Sequence, residues 1–246
     1  MTFLFKSHSQ LIPSTTLAIG NFDGLHLGHQ KLFEKLAETG SSPAVLTFWP
    51  NPKQYFNKKF IPMHSLEEKI FNLKKYGIDQ IFVLNFDQNI SEMNADDFIN
   101  NIILDELLPD KIIIGEDFKF GKNANYNAQY LQKYLANKIM VEILPLENKP
   151  FYSSSRVRLE LKDGNFSILN QLLGRKYSFS GIGVKNRNLI QIKRNLKLEI
   201  KDITFTAVIN YDNNSCIATA EVKDGICFLN NSTTSLIGKK LIITPD

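Results

Sequence analysis

Two cysteines in 246 residues, Cys216 and Cys227, are too few for a disulfide framework and read as reduced, buried thiols. No apolar run reaches the roughly 20 residues that a membrane-spanning helix needs. Met1–Pro13 has a short apolar patch but not the layout of a signal peptide, so no membrane role and a cytoplasmic setting are expected. The chain also lacks repeats and low-complexity tracts, which excludes solenoids and disordered linkers. Neither sign of charge dominates: the net value is +4, and the basic excess falls after Arg175. No aromatic-rich RNA motif accompanies that excess, so it reads as a solvated face and no nucleic-acid partner is expected. What remains, at 43% apolar content, is a chain able to bury one large core or two small ones.

The informative stretch is Ala18-Ile19-Gly20-Asn21-Phe22-Asp23-Gly24-Leu25-His26-Leu27-Gly28-His29-Gln30. An apolar run stops at a glycine, a tight turn follows, and a helix-like pattern opens at His29. Backbone N–H groups at such a junction lack intrahelical partners, and the helix dipole adds partial positive charge, so an anion is the expected occupant. The stretch has neither GxxxxGK[ST] nor GxGxxG, which excludes a Walker loop and the dinucleotide fingerprint. HxGH lacks the glutamate of HExxH and no cysteine lies nearby, so no protein metal ligands are assigned.

Strands are expected at Thr16–Gly20, Ala44–Phe48, Gln80–Leu84, Lys111–Gly115 and Ile139–Leu144, and helices at Lys31–Glu38, Ser65–Tyr76, Asn94–Leu107 and Ala128–Leu135. Ser65 and Glu68 have capping-box spacing, and Asn94 reads as an N-cap. This alternation predicts a Rossmann-like α/β domain: a parallel sheet covered on both faces, with ligands at the carboxyl ends of its strands. After Pro150 come two short helices, Ser153–Lys162 and Phe166–Leu173. From Tyr177 the runs are short and β-branched: Tyr177–Gly181, Leu189–Ile192, Thr204–Ile209, Cys216–Val222, Ile226–Leu229 and Leu241–Thr244. Residues 1–174 and 175–246 therefore read as an α/β domain followed by a small all-β, barrel-like one.

Together with four later segments, GNFDGLHLGHQ resembles the bacterial bifunctional riboflavin kinase/FAD synthetase family, within the HxGH nucleotidyltransferase superfamily. Thr47-Phe48-Trp49-Pro50-Asn51-Pro52, with Phe56, is similar to the family's TFxPHP segment along the flavin, and Asn51 stands where histidine is usual. Flat apolar faces suit an isoalloxazine ring. Gly115-Glu116-Asp117-Phe118-Lys119-Phe120-Gly121 resembles GxDFxFG. Asn123 aligns with an asparagine of the flavin and phosphate site, and Asn127 with an aspartate or asparagine, while Tyr126 replaces a glycine. Ser153-Ser154-Ser155-Arg156-Val157-Arg158 looks like ISSTxxR, whose hydroxyls and arginine hold the β/γ-phosphates.

The resemblance implies transfer of AMP from MgATP to FMN, giving FAD and pyrophosphate, with Mg2+ arriving as the ATP complex. It assigns catalysis to His26, His29, Ser154, Ser155 and Arg158. Substrate binding falls to Gly20, Asn21, Phe22, Asp23, Gly28, Phe48, Pro50, Asn51, Pro52, Phe56, Gly115, Asp117, Phe118, Asn123, Asn127, Ser153 and Arg156. In the family a kinase barrel follows LLGR and carries GxPTAN. Leu172-Leu173-Gly174-Arg175 is present and PTAN is absent, so the expectation is a one-activity FMN adenylyltransferase whose barrel serves structure, a protein partner or self-association. The alternatives are the two-activity enzyme, a nucleotidyltransferase with another acceptor, and a non-catalytic flavin- or nucleotide-binding protein.

Overall fold

The computed structural model describes residues 3–6, 14–78, 80–145, 152–230 and 234–246. The N-terminal reading over Met1–Pro13 lies outside these residues except for 3–6, as does the change of pattern at Pro150. The chain divides into two units, Met1–Phe60 with Lys69–Lys149 and Ile61–Glu68 with Pro150–Asp246.

In the first unit, six strands form one sheet: β1 (Phe3–Lys6), β2 (Thr15–Ile19), β3 (Ser42–Trp49), β4 (Gln80–Asn85), β5 (Lys111–Gly115) and β8 (Met140–Leu144). Their order is β1-β4-β3-β2-β5-β8. All neighbours are parallel except β1, which pairs antiparallel with β4 at the edge. The expected sheet is thus extended by one strand of opposite direction. The buried strands are near-continuous apolar runs, as two covered faces require. β2 lies between β3 and β5, where the strand order reverses, and the crevice beyond its carboxyl end is the usual ligand position in such sheets.

Helix α1 (Leu27–Glu38) buries Leu32, Phe33 and Leu36. Two short helices, α2 (Pro52–Phe56) and α4 (Gln88–Glu92), and a hairpin of β6 (Lys119–Phe120) and β7 (Tyr126–Asn127) add to the expected elements. Asn94 caps α5 (Ala95–Asp97) through Asp97 N–H, as its position predicts. The segment expected to continue as an α-helix is instead a π-helix, Phe98–Leu107, closed by Leu108 N–H on the Ile103 carbonyl. Its wider turn still buries Phe98, Ile99, Ile102, Ile103 and Leu107. Helix α6 (Ala128–Leu135) completes the unit.

Helix α3 spans Leu66–Lys75. Before it the capping box is formed both ways: Ser65 N–H donates to Glu68 Oε2 at 2.9 Å and Glu68 N–H to Ser65 Oγ at 3.2 Å. Ser65→Ala should lower stability by about 1 kcal/mol, read as a lower midpoint in thermal unfolding.

In the second unit, α7 (Ser154–Asp163) and α8 (Phe166–Leu173) pack with a closed six-stranded antiparallel barrel in the order β10-β13-β12-β11-β14-β9. The strands are β9 (Phe179–Asn186), β10 (Leu189–Lys193), β11 (Ile203–Tyr211), β12 (Asn214–Lys223), β13 (Ile226–Asn230) and β14 (Lys240–Pro245). Alternation along β12 turns Ala218, Ala220 and Val222 inward and leaves Ile217 outside. Cys227 is buried in this core, whereas Cys216, expected to be buried too, is only half-buried; both are free thiols.

Candidate functional site

The turn after β2 continues the sheet before it leaves it, since Gly20 N–H still donates to the Leu46 carbonyl at 3.1 Å. A Cβ on Gly20 would lie 2.9 Å from Cζ of Phe22, so glycine lets that ring fold back over the strand end. Phe22 and Leu25 adopt φ of 46° and 53°, on either side of Gly24 at 85°. Such left-handed residues cost on the order of 1–3 kcal/mol each and persist where the surroundings over-determine them. Burial of the Phe22 and Leu25 side chains supplies that restraint. Sequence patterning marks the glycines but not these two strained positions.

Out of the turn come His26, the N-cap of α1, and His29 in its first turn. The N–H groups of His29 and Gln30 return to the His26 carbonyl at 2.8 and 3.1 Å. The two imidazoles stack, centroids 3.8 Å apart and planes 19° apart, and the Phe22 edge meets His29 at 5.3 Å. Burial lowers the His26 pKa from 6.5 to about 4, against the pull of the Asp23 carboxylate. Burial, then His26 and Lys69, push His29 well below its ordinary value. Both rings are therefore neutral at neutral pH, each with one N–H to donate and one lone pair to accept. Nδ1 of both histidines and Oδ1 of Asn21 are buried without a hydrogen-bond partner among the described residues. Unpaired polar atoms cost stability when shut from water; an imidazole nitrogen that carries its ring proton can donate to an anion at this helix N-terminus, whereas the Asn21 amide oxygen can only accept.

Beneath the turn lies a residue that sequence reasoning missed. Lys69, on α3, is buried and donates to the Asn21 carbonyl at 2.8 Å, with Thr47 Oγ1 and the Phe48 carbonyl each at 3.4 Å. Burial lowers its pKa from 10.5 to about 8. The signal was its phase: Lys69 falls four residues before buried Leu73, on the inward face of the helix. A lysine ordinarily reads as surface, which hid it.

The segments resembling flavin-binding runs converge through aromatic rings. Phe48 meets Phe86 at 6.1 Å and Phe98 at 6.4 Å; Phe98 meets Phe120 at 5.7 Å, and Phe120 stacks on Phe118 at 5.4 Å. Phe56, 67% exposed, packs edge-on against Phe86 and Tyr55. Phe86 and Phe98 were not singled out in the sequence because they lie between motifs. The Trp49-Pro50 bond is cis, and Pro52 opens α2. Asn51, which stands in the histidine position, is buried and accepts from Lys53 N–H at 3.0 Å as the N-cap of α2. Gly115 ends β5, and a Cβ there would lie 3.1 Å from Oδ1 of exposed Asp117. Asn123 is exposed with φ 58°, and Asn127 caps α6 through Tyr130 N–H at 3.0 Å. Tyr126 packs on Tyr130 with centroids 4.6 Å apart.

Ser153–Arg158 belong to the second unit and are described within it. Ser153 caps α7, its Oγ accepting from Arg156 N–H at 3.2 Å. Ser154 is half-buried and Ser155 exposed. Arg156 pairs with buried Glu160 at 2.6 Å. Arg158 pairs with Glu199 and donates to the Ile61 carbonyl. Among the described residues, no group of three His, Cys, Asp or Glu side chains could hold a metal ion, and no helix is long and apolar enough to cross a membrane.

A family model described as FAD synthetase matches residues 8–154. The bifunctional riboflavin kinase/FMN adenylyltransferase of Buchnera aphidicola subsp. Acyrthosiphon pisum is 36% identical over 181 residues, which take in 70% of this chain and 58% of that protein. The protein of the same description from Haemophilus influenzae is 34% identical over 185 residues, covering 70% and 59%. The chain thus spans less than two thirds of the length of the curated relatives it matches. The crystal structure of a macrolide-efflux protein from Streptococcus pneumoniae superposes with a TM-score of 0.80 at 20% identity, over 98% of this chain and 88% of that one; likeness at this identity shows the fold alone.

Proposed function

Because the chain belongs to the FAD synthetase family, we propose that it transfers AMP from MgATP to FMN, releasing pyrophosphate. The observation that carries this reading is the stacked, neutral His26/His29 pair, with unpaired buried nitrogens, at the N-terminus of α1. An oxygen of the FMN phosphate attacks the α-phosphorus in line, the bond from that phosphorus to the bridging oxygen of pyrophosphate breaks, and the electron pair leaves with pyrophosphate. The attacking oxygen carries no proton that must be removed, so no protein nucleophile or base is required, and catalysis is positioning and charge stabilisation. His26 and His29 donate to the α-phosphate as negative charge shifts toward the leaving group. Gly20–Asp23 and Gly28 shape the backbone around the nucleotide. Phe48, Pro50, Pro52, Phe56 and Phe118 supply flat apolar faces for the isoalloxazine ring, while Asn123 and Asn127 serve its polar edge and phosphate. Ser154, Ser155 and Arg158 take the leaving pyrophosphate, with Ser153 and Arg156 at the same helix start; Arg158 then exchanges Glu199 for phosphate oxygens.

A second reading, in which the chain also phosphorylates riboflavin, has support of its own. The relatives bear bifunctional names, and β9–β14 close into a barrel. The comparisons favour it over the one-activity expectation, which rests on the missing PTAN. A chromatographic assay of the purified chain with MgATP and either FMN or riboflavin tests both. FAD from FMN supports the transferase; FMN or FAD from riboflavin supports the second activity and ends the one-activity expectation. Binding of both substrates without product would overturn the enzymatic reading in favour of a non-catalytic binding protein.

A further inference from the structure

Lys69 has no part in the resemblance that drew attention to the histidines, yet it is a buried ammonium directly below their turn. Its three acceptors come from two chain segments: the Asn21 carbonyl from the turn after β2, and Thr47 Oγ1 with the Phe48 carbonyl from the end of β3. Thr47 Oγ1 also donates to the Asn21 carbonyl at 3.3 Å, so this carbonyl is gripped from two sides. We infer that Lys69 is a positioning residue: its ammonium ties the Asn21 carbonyl to the end of β3 and so fixes the turn that presents His26 and His29.

The electrostatics point the same way. The titratable groups acting on Lys69 and His29 are Asp23 and His26, both on the turn. Asp23 favours the ammonium, while the ammonium and His26 oppose a proton on His29. Lys69 thereby adds to the burial that keeps His29 neutral, with one N–H to donate and one lone pair to accept. A buried cation is costly unless fully hydrogen-bonded, and three oxygens meet the three donors of an ammonium. A role confined to filling space would be met by methionine.

Read through turnover, this role rests on the FMN adenylyltransferase reading; read through histidine NMR, it does not. The sequence has only four histidines, so single His→Gln variants assign the ring signals. In K69M the repulsion is gone, and the His29 titration should move to higher pH. The kcat for FAD formation should fall by about 10- to 100-fold with the KM for ATP changed less than about threefold, as expected when a reacting group is misplaced. K69R, which keeps the charge, should restore the wild-type titration and most of the turnover. A folded K69M whose His26 and His29 ring signals keep their wild-type shifts, showing that the turn has not moved, would overturn the inference. If K69M does not fold, the wild type decides: His29 ring shifts should inflect where Lys69 itself loses its proton, at about pH 8, and a flat response there counts against the role. Absence of FAD from the wild type would sink the adenylyltransferase reading and leave the NMR test standing.

Discussion

Replacing His29 with asparagine should reduce FAD formation from FMN and MgATP by about 100- to 1,000-fold, the usual loss when one preorganised donor to a developing anion is removed. The fall should appear in kcat and kcat/KM together, because the donor acts on charge that develops during transfer. His26→Asn should do the same, and the double variant should lose little more than either single one. The stacked rings, 3.8 Å apart, form one unit, and members of a unit are not additive. Steady-state measurements on the three variants check this. An H29N enzyme whose only defect is a higher KM for ATP would show that the pair binds nucleotide without serving the transition state.

The second large effect is on stability in acid. His26 is neutral in the fold down to about pH 4, whereas in the unfolded chain it takes up a proton near 6.5. Between these values the unfolded state binds more protons, so stability falls as the pH drops. Above 6.5 both states are neutral and the contribution vanishes; below about 4 both are charged and the loss is complete. Each pH step in the window is worth about 1.4 kcal/mol, which brings the His26 loss to roughly 3 kcal/mol. His29, depressed in the same direction, adds to it. Trp49, the sole tryptophan, lies in the first unit with Lys69 Nζ 5.8 Å from its ring centroid, so its fluorescence reports the unfolding of that unit. Urea midpoints followed by Trp49 should drop steeply from pH 6.5 toward 4 in the wild type and less steeply in H26N. Equal slopes would mean that His26 is solvated in solution.

Much of the architecture was legible because its period is strong. Buried strands such as Lys111–Gly115, and helices with clear caps such as Ser65–Glu68, lie within a residue or two of their expected places. Short elements were not legible. The edge strand Phe3–Lys6 has too few residues for a pattern, and the hairpin of Lys119–Phe120 with Tyr126–Asn127, two residues a side, is too short to alternate and joins the core through Phe120 against Phe98. The π-helix at Phe98–Leu107 was hidden because apolar spacing does not separate a wide turn from an α-helical one there. At the site, the motif residues of the turn could be named from spacing, but not the stacking of His26 on His29 or the strain at Phe22 and Leu25. Lys69 escaped for a different reason: a charge on an inward helix face is informative only once its acceptors, backbone carbonyls from distant segments, are known.

The closure of β9 to β14 limits how anything can attach to this barrel. An open sheet offers a row of free N–H and C=O groups to which a visiting strand can add; in a closed barrel that row is already spent on its own neighbours. A protein that binds the barrel, including a second copy of the chain, therefore has to be recognised by outward side chains such as Ile217, 71% exposed, or Ile182, 42% exposed, and not by strand exchange at an edge. Specificity at such a surface rests on side-chain shape and charge, and single surface substitutions can redirect it without disturbing the fold.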